Sequence, residues 1–310
     1  VIESFLAGQN GLLFAYGITN SGPCVFLINA GKTYTMQGSK EQPGIIPRTM
    51  KKVFDRLKQA AADSDSAQLP VNESLLDQSV LDYKGPDMSA LGMRALANDL
   101  GTKSVSVSFF EIYNEKIFDL LNTDKERKGL YCGFDCRNER VFVSGVKQIA
   151  LKNQDEALAI LRQGQRNRTM GGTSLNDNSS RSHSIFTIKL IGKNGDVWSR
   201  LSIVDLAGAE RSGRSGNATN GDRQREANEI NKSLMHLGRC LEILRANQTR
   251  APDKQVQVPY RDSKITRLFK DSLTGWGRRV FSATFTGRTV MITNVSCSPL
   301  DFDENLLALK

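Results

Sequence analysis

Residues 11–38 are GLLFAYGITNSGPCVFLINAGKTYTMQG, an apolar run, a loop rich in small residues and a Lys-Thr pair in succession. The apolar run at residues 12–16 has the length and continuity of a buried strand. A loop of Gly, Thr, Asn and Ser follows, and the stretch closes on Lys32-Thr33 ahead of a helical pattern. Strand, glycine loop, Lys-Thr and helix are the parts of a phosphate-binding loop, G-x-x-x-x-G-K-[ST]. In such a loop backbone amides cradle phosphate oxygens, the lysine reaches the outer phosphates and the Thr hydroxyl ligates magnesium.

The spacing is interrupted. Gly17 to Gly22 supplies GITNSG, but Pro23 follows where the motif needs Lys. Gly31 precedes Lys32, yet five residues before it stands Phe26 rather than Gly. Removing residues 23–31 gives GITNSGKTYTMQG, which satisfies the motif at every position. Residues 276–287 behave alike, because deleting them joins DSLTG to RTVMI, a turn into a strand. Each segment follows a Gly and ends in Gly, and Gly codons can hold the GT and AG of an intron's two ends. Both segments are therefore expected to be short, frame-preserving introns translated into the chain, with real loop insertions as the alternative. If residues 23–31 are real, Lys32 is expected to be displaced, and Pro23 lacks an amide where the loop needs a donor.

The length of 310 residues allows a sizeable core in one large domain or two small ones. Apolar content of 39% and charged content of 24% are those of a soluble globule. The net charge of +9, from 42 basic against 33 acidic residues, favours an acidic partner. Charge alone would admit nucleic acid, but no nucleic-acid module signature is present, and no such partner is expected. Five scattered cysteines suggest a reducing compartment. Cys132 and Cys136 do not make a metal site with only His183 and His236 available elsewhere. The sequence holds no apolar run of the length that spans a bilayer, and no signal peptide is visible. Because it begins on Val1 inside a helical pattern and stops mid-pattern, the chain is read as a fragment.

Strand and helix patterns alternate along the chain. Helices are expected at residues 1–8, 48–59, 114–121, 154–163 (capped by Asn153), 226–247 and 264–272. Strands are expected at residues 104–112, 141–146, 185–191, 201–204 and 290–295. Residues 44–47 read as a turn, 193–196 as a hairpin turn, 123–129 as a charged exposed stretch and 211–225 as a mobile loop. Residues 60–103, with Pro70, Gly85 and Pro86, read as a surface insertion. The pattern favours an α/β fold, a P-loop NTPase with a central, mostly parallel sheet and helices on both faces.

Two further segments carry chemistry. In NDNSSRSH, residues 176–183, clustered hydroxyls beside an arginine suit contacts to a γ-phosphate and to magnesium-bound water. In LSIVDLAGAER, residues 201–211, an apolar strand ends in Asp205 and runs into a glycine turn. That places a carboxylate at the strand's C-terminal edge beside bound magnesium, and lets the Gly208 amide approach the γ-phosphate.

GITNSG…KTYTMQG, NDNSSRSH, DLAGAE and VPYRDSKITRLFKDSL, in this order, resemble the motor domain of a kinesin over nearly the whole chain. NDNSSRSH resembles the family's switch I and DLAGAE its switch II, with Ala209 where Ser is commoner. The insertion before SVSVSFFEIYNEKIFDLL, with GQRNRTMGGTSLN and REANEINKSLMHLGRCLEIL, is most similar to the mitotic kinesin-like proteins of the spindle midzone.

The resemblance implies ATP and Mg2+ as ligands. Gly17, Ile18, Thr19, Asn20, Ser21, Gly22, Gly31, Lys32, Thr33 and Tyr34 would bind the nucleotide. Thr33, Ser180 and Asp205 would hold the metal, Asp205 through water. Ser179 and Ser180 would close on the γ-phosphate. Arg181 and Glu210 would form the ion pair that shuts the site and positions the attacking water. Arg211, Lys232, Tyr260, Arg261, Lys264 and Arg267 would face the microtubule. The implied activity is microtubule-stimulated ATP hydrolysis in the cytoplasm, on the cytoskeleton of the mitotic spindle and midzone. The alternative is a catalytically impaired microtubule-binding module, if residues 23–31 are real. A nucleotide kinase or GTPase is disfavoured, since no N-K-x-D guanine-reading motif is present. Against the family pattern, the first strand, the last helix and the neck linker are missing, and dimerisation is expected only through regions outside this chain.

Overall fold

A computed structural model describes residues 1–17, 31–66, 104–122, 128–135, 140–170, 180–192, 197–209, 221–274, 279–280, 283–284, 287–296 and 301–309. Helix α1 (Ile2–Leu6) leads into β1 (Gly11–Gly17), and α2 (Lys32–Gln37) and α3 (Ile45–Ser66) follow. Next come β2 (Ser104–Tyr113), β3 (Lys116–Asp119), β4 (Tyr131–Asp135), β5 (Arg140–Ser144) and β6 (Ile149–Leu151). Then follow α4 (Gln154–Met170), β7 (His183–Ile191), β8 (Val197–Asp205) and the long α5 (Gly221–Thr249). The chain continues through α6 (Lys264–Leu268), α7 (Lys270–Leu273), β9 (Arg279–Val280), β10 (Ala283–Thr284), β11 (Arg288–Asn294) and α8 (Phe302–Leu309).

Among the described residues the main sheet has seven strands, in the order β11-β1-β8-β7-β2-β3 with β6 also on β2. β1 is parallel to β11 on one side and to β8 on the other. β7 is antiparallel to β8 and β2, and β3 and β6 are antiparallel to β2. It follows that β11, β1, β8 and β2 point one way. The parallel trio places the carboxyl ends of β1 and β8 side by side, where ligands of open α/β sheets bind.

Alternation along each strand feeds two cores. Leu13 and Ala15 of β1, with Val107, Phe109, Phe186 and Ile203, pack under α1, α2, α3 and α4. Leu12 and Phe14, with Phe110, Ile185 and Val204, pack under α5 and α6. Phe14 meets Phe269 edge-on at 5.6 Å. The expected α/β class, with helices on both faces, is thus the observed one.

Several local expectations are corrected. Residues 114–121 do not form a helix: β2 and β3 pair tightly, Tyr113 opposite Lys116, across Asn114 and Glu115. Both turn residues have positive φ, 49° and 53°, as a two-residue hairpin whose twist matches its strands requires. The cost of holding Glu115 left-handed is offset by its carboxylate, which accepts from the Lys264 amide (2.7 Å) and the Ser263 hydroxyl (3.0 Å) at the start of α6. Residues 44–47 are not a free turn, because α3 begins at Ile45 and holds Pro47 in its first turn, where a missing N–H is tolerated. α3 also takes residues 60–66 of the expected insertion, while residues 67–103 lie outside the described ones. α5 starts at Gly221, inside the expected loop, and residues 264–272 break into two short helices at Phe269. β4 and β6 had no sequence expectation, since three to five residues carry little periodicity.

Asn153 does cap its helix. Its side chain accepts from the Glu156 amide (2.9 Å), and Glu156 accepts from the Lys152 amide (2.8 Å). The helix outruns the expected end by a further two turns, to Met170, and that extension carries Arg168 to the site. Within residues 276–287, β9 and β10 pair with each other. The Thr289 hydroxyl donates to the Ser272 carbonyl (3.0 Å), so the chain returns close to where it left.

Candidate nucleotide site

β1 ends on Gly17, whose φ of 133° is open to glycine and strained for other residues. A Cβ there would lie 2.1 Å from the Asn294 carbonyl oxygen, so β11 can pair to the end of β1 only past a glycine. The Gly17 carbonyl accepts from the Lys32 ammonium (2.8 Å) and from the Ala209 amide (3.2 Å). Lys32, expected to be displaced by residues 23–31, therefore sits buried at the carboxyl end of β1. Ile18, Thr19, Asn20, Ser21 and Gly22 lie outside the described residues. Gly31 is extended and opens α2, and Tyr34 turns away to a hydrogen bond with Gln42.

Asp205 is the centre of the site. Its Oδ2 accepts from the Thr33 hydroxyl (2.7 Å) and from the Arg168 guanidinium (2.9 Å). Its Oδ1 is buried and meets no hydrogen-bond donor among the described residues. A buried carboxylate oxygen left open beside a Thr hydroxyl is the donor set that a hydrated Mg2+ completes, so the residues present fit that ion. Arg168 also donates to the Ser182 hydroxyl (3.1 Å) and carbonyl (2.7 Å), and lies 3.9 Å from the Glu111 carboxylate. One buried cation therefore ties α4 to β8, to β2 and to the segment that opens β7. Sequence reading missed Arg168 and Glu111. A charged residue at a core-facing position of each element is the signal that could have found them.

The two expected switch segments touch. The Gly208 amide donates to the Ser180 carbonyl (2.8 Å) rather than standing open toward a phosphate, as the sequence suggested. Arg181 is half-buried, whereas its expected partner Glu210 lies outside the described residues, as do Ser179 and Arg211. His183 is fully buried, accepts from the Ala207 amide at Nδ1 (3.0 Å) and meets the Ser233 hydroxyl at Nε2 (2.9 Å). Burial, with Arg168 and Lys32 nearby, pushes its pKa down to about 3.

Of the expected track-facing residues, four lie at the surface of elements that pack on one another. Lys232 and Arg261 are exposed and Lys264 and Arg267 half-exposed, on α5, the turn before α6, and α6 itself, which pack together. Tyr260 departs from the expectation. Its ring is 8% exposed and burial raises its phenol to about 12, so it supports the turn from beneath rather than facing a partner.

No described helix is long and apolar enough to cross a membrane. Comparison with known proteins agrees with this geometry. The family profile described as kinesin motor domain matches residues 1–310. Mouse kinesin-like protein KIF23 is 33% identical over the whole chain, and bovine KIF20A is 32% identical over the whole chain. The chain spans only 35% and 40% of those two relatives. A solved structure named kinesin 6 superposes with TM-score 0.69 at 30% identity, covering 99% of this chain and 82% of that one. The structure of a fast kinesin gives TM-score 0.69 and 30% identity, covering 99% of this chain and 70% of its own. Fold, site and likeness coincide, and the chain belongs to the kinesin motor domain family.

Proposed function

We propose that this chain is the ATP-hydrolysing head of a microtubule motor of the mitotic midzone type. The observation that carries the reading is the meeting of Lys32, Thr33, Asp205, Ser180 and Gly208 at the joint end of β1 and β8. Thr33 and Ser180 would ligate Mg2+ directly and Asp205 through water. The ion would neutralise charge on the β- and γ-phosphates and orient them. Lys32 would leave the Gly17 carbonyl for a phosphate oxygen, and Ser179 would close on the γ-phosphate. Gly208 would exchange the Ser180 carbonyl for the γ-phosphate, which makes its amide a detector of that group. A water held by the Arg181–Glu210 pair would attack phosphorus as the bond to the β-phosphate oxygen breaks. Such transfer needs positioning and fixed charge more than covalent help.

Coupling to a track follows from where α5 begins, a short way beyond the second switch segment. Lys232, Arg261, Lys264 and Arg267 present cations to an acidic filament, so affinity would fall with salt. The midzone assignment rests on the likeness to KIF23 and KIF20A, and a fluorescent fusion followed through division tests it. Turnover of ATP with and without polymerised tubulin tests the central claim. Equal rates in an active protein refute the coupling.

The second reading, a track-binding module without catalysis, draws on the nine residues that separate the glycine loop from Lys32. The contact of Lys32 with Gly17 weighs against it. Release from microtubules on adding ATP separates the two readings. Messenger RNA read across residues 17–38 and 276–287 tests the proposal that residues 23–31 and 276–287 are translated introns. Abundant transcripts carrying both segments would end it.

A further inference from the structure

Two consecutive amides at the end of β8 go to different places. The Gly208 N–H donates to the Ser180 carbonyl (2.8 Å), in the segment expected to sense phosphate. The Ala207 N–H donates to Nδ1 of His183 (3.0 Å). From there a hydrogen-bond chain continues: His183 Nε2 lies 2.9 Å from the Ser233 Oγ, and the Ser233 hydroxyl donates to the Ile230 carbonyl (2.7 Å) inside α5.

The direction of this chain is fixed by donor counts. A backbone amide can only donate, so Nδ1 must be bare and the ring proton must sit on Nε2. Ser233 has one hydroxyl hydrogen and gives it to Ile230, so it accepts from Nε2. Every member is buried or part-buried, and every donor points the same way, from β8 into the helix. The imidazole cannot take a second proton without facing the Ala207 N–H with another N–H. Its strongly depressed basicity keeps it neutral at physiological pH.

We infer that His183 is a positioning residue that couples the Ala207–Gly208 backbone to helix α5, so that a change of partner at the Gly208 amide is felt next to Lys232. The inference deepens the proposed ATPase reading and rests on it for its kinetic consequence. Gly208 and Ala207 are adjacent, so a backbone that tilts to release Ser180 also moves the Ala207 amide. The ring and Ser233 transmit that movement to the turn of α5 that carries the exposed cation.

The test uses the intact protein, its His183→Asn and Ser233→Ala variants, and the double variant. Asn places an acceptor near the Nδ1 position but does not reach Ser233, so it cuts the chain at the same link as Ser233→Ala. Each single variant should lower the ratio of microtubule-stimulated to basal turnover roughly three- to tenfold, one hydrogen bond's worth. The double variant should lower it no further, because both act on one link. Unchanged ratios, additive losses, or a lowered melting temperature with the ratio intact would each overturn the inference. Amide exchange at residues 207–208 gives a second readout that needs no turnover. Ser233→Ala should speed it while β2 amides keep their rates, and unchanged exchange overturns the coupling. A parent protein that hydrolyses no ATP, yet shows the faster exchange in Ser233→Ala, refutes the functional reading and leaves the coupling standing.

Discussion

Replacing Arg168 by Ala should be strongly destabilising. The guanidinium is buried, with its side chain 4% exposed, and it faces two carboxylates, Asp205 at 2.9 Å and Glu111 at 3.9 Å. Its removal strands one well-bonded buried anion and weakens the surroundings of a second. Breaking a buried pair from one side costs about 3–5 kcal/mol. The two lost hydrogen bonds to Ser182 act on the same network, so they are not added in full. Against a typical total of about 5–15 kcal/mol, a large share of the stability is at stake. In a chain of this size the melting temperature should drop by on the order of 10 °C. The assay is thermal unfolding by circular dichroism for Arg168→Ala, Arg168→Met, Glu111→Gln and the double variant Arg168→Met with Glu111→Gln. If uncompensated charge is the cause, the double variant should be more stable than Arg168→Met alone, since neutral Gln removes the second of the two negative charges that faced the guanidinium. A melting temperature within about 2 °C of the parent for Arg168→Ala, or a double variant that is merely additive, would refute the reasoning.

Other outcomes follow from the same geometry. Because His183 is neutral when folded and its pKa is depressed from 6.5 to about 3, the unfolded chain binds the extra proton first as pH falls. Its contribution is complete above pH 6.5 and declines toward pH 3, a loss of about 2 kcal/mol by pH 5. Urea unfolding at pH 7.5 and 5 should show this slope in the parent and a shallower one in His183→Asn. Gly17→Ala should destabilise by about 2 kcal/mol or more, since the new Cβ meets the Asn294 carbonyl at 2.1 Å in a backbone that resists side chains. Chemical denaturation measures it, and a neutral result would mean β11 shifts freely. Glu115→Ala removes two hydrogen bonds at the start of α6 and leaves the left-handed strain, costing about 1–2 kcal/mol. Exchange of the Lys264 amide should accelerate with it.

The sequence made the long elements legible. Apolar continuity marked β1, alternation marked β2, and the Asn153 cap marked the start of α4. It also brought Lys32, Thr33 and Asp205 to one place, because strand ends and a Lys-Thr pair carry local signals. What it hid was tertiary in origin. The hairpin at Asn114 and Glu115 lacks glycine, so Asn114 is its one local sign of left-handed backbone and Glu115 gives none. Their conformation is supported by α6, far along the chain. Arg168 was hidden because it lies in a part of α4 whose end was drawn too early. Tyr260 was expected to face the partner from the family resemblance of VPYRDSK, and only packing shows that the residue is buried.

The pairing of β1 with β11 bears on how the molecule is made. The Asn294 amide group donates to the Thr35 hydroxyl at 2.8 Å, 259 residues away in the chain. The strand that braces the phosphate-binding edge is thus synthesised long after β1 itself. At ordinary translation speeds that edge waits tens of seconds for its neighbour. During that interval β1 offers an unpaired apolar border to any chaperone, or to any other nascent chain, nearby.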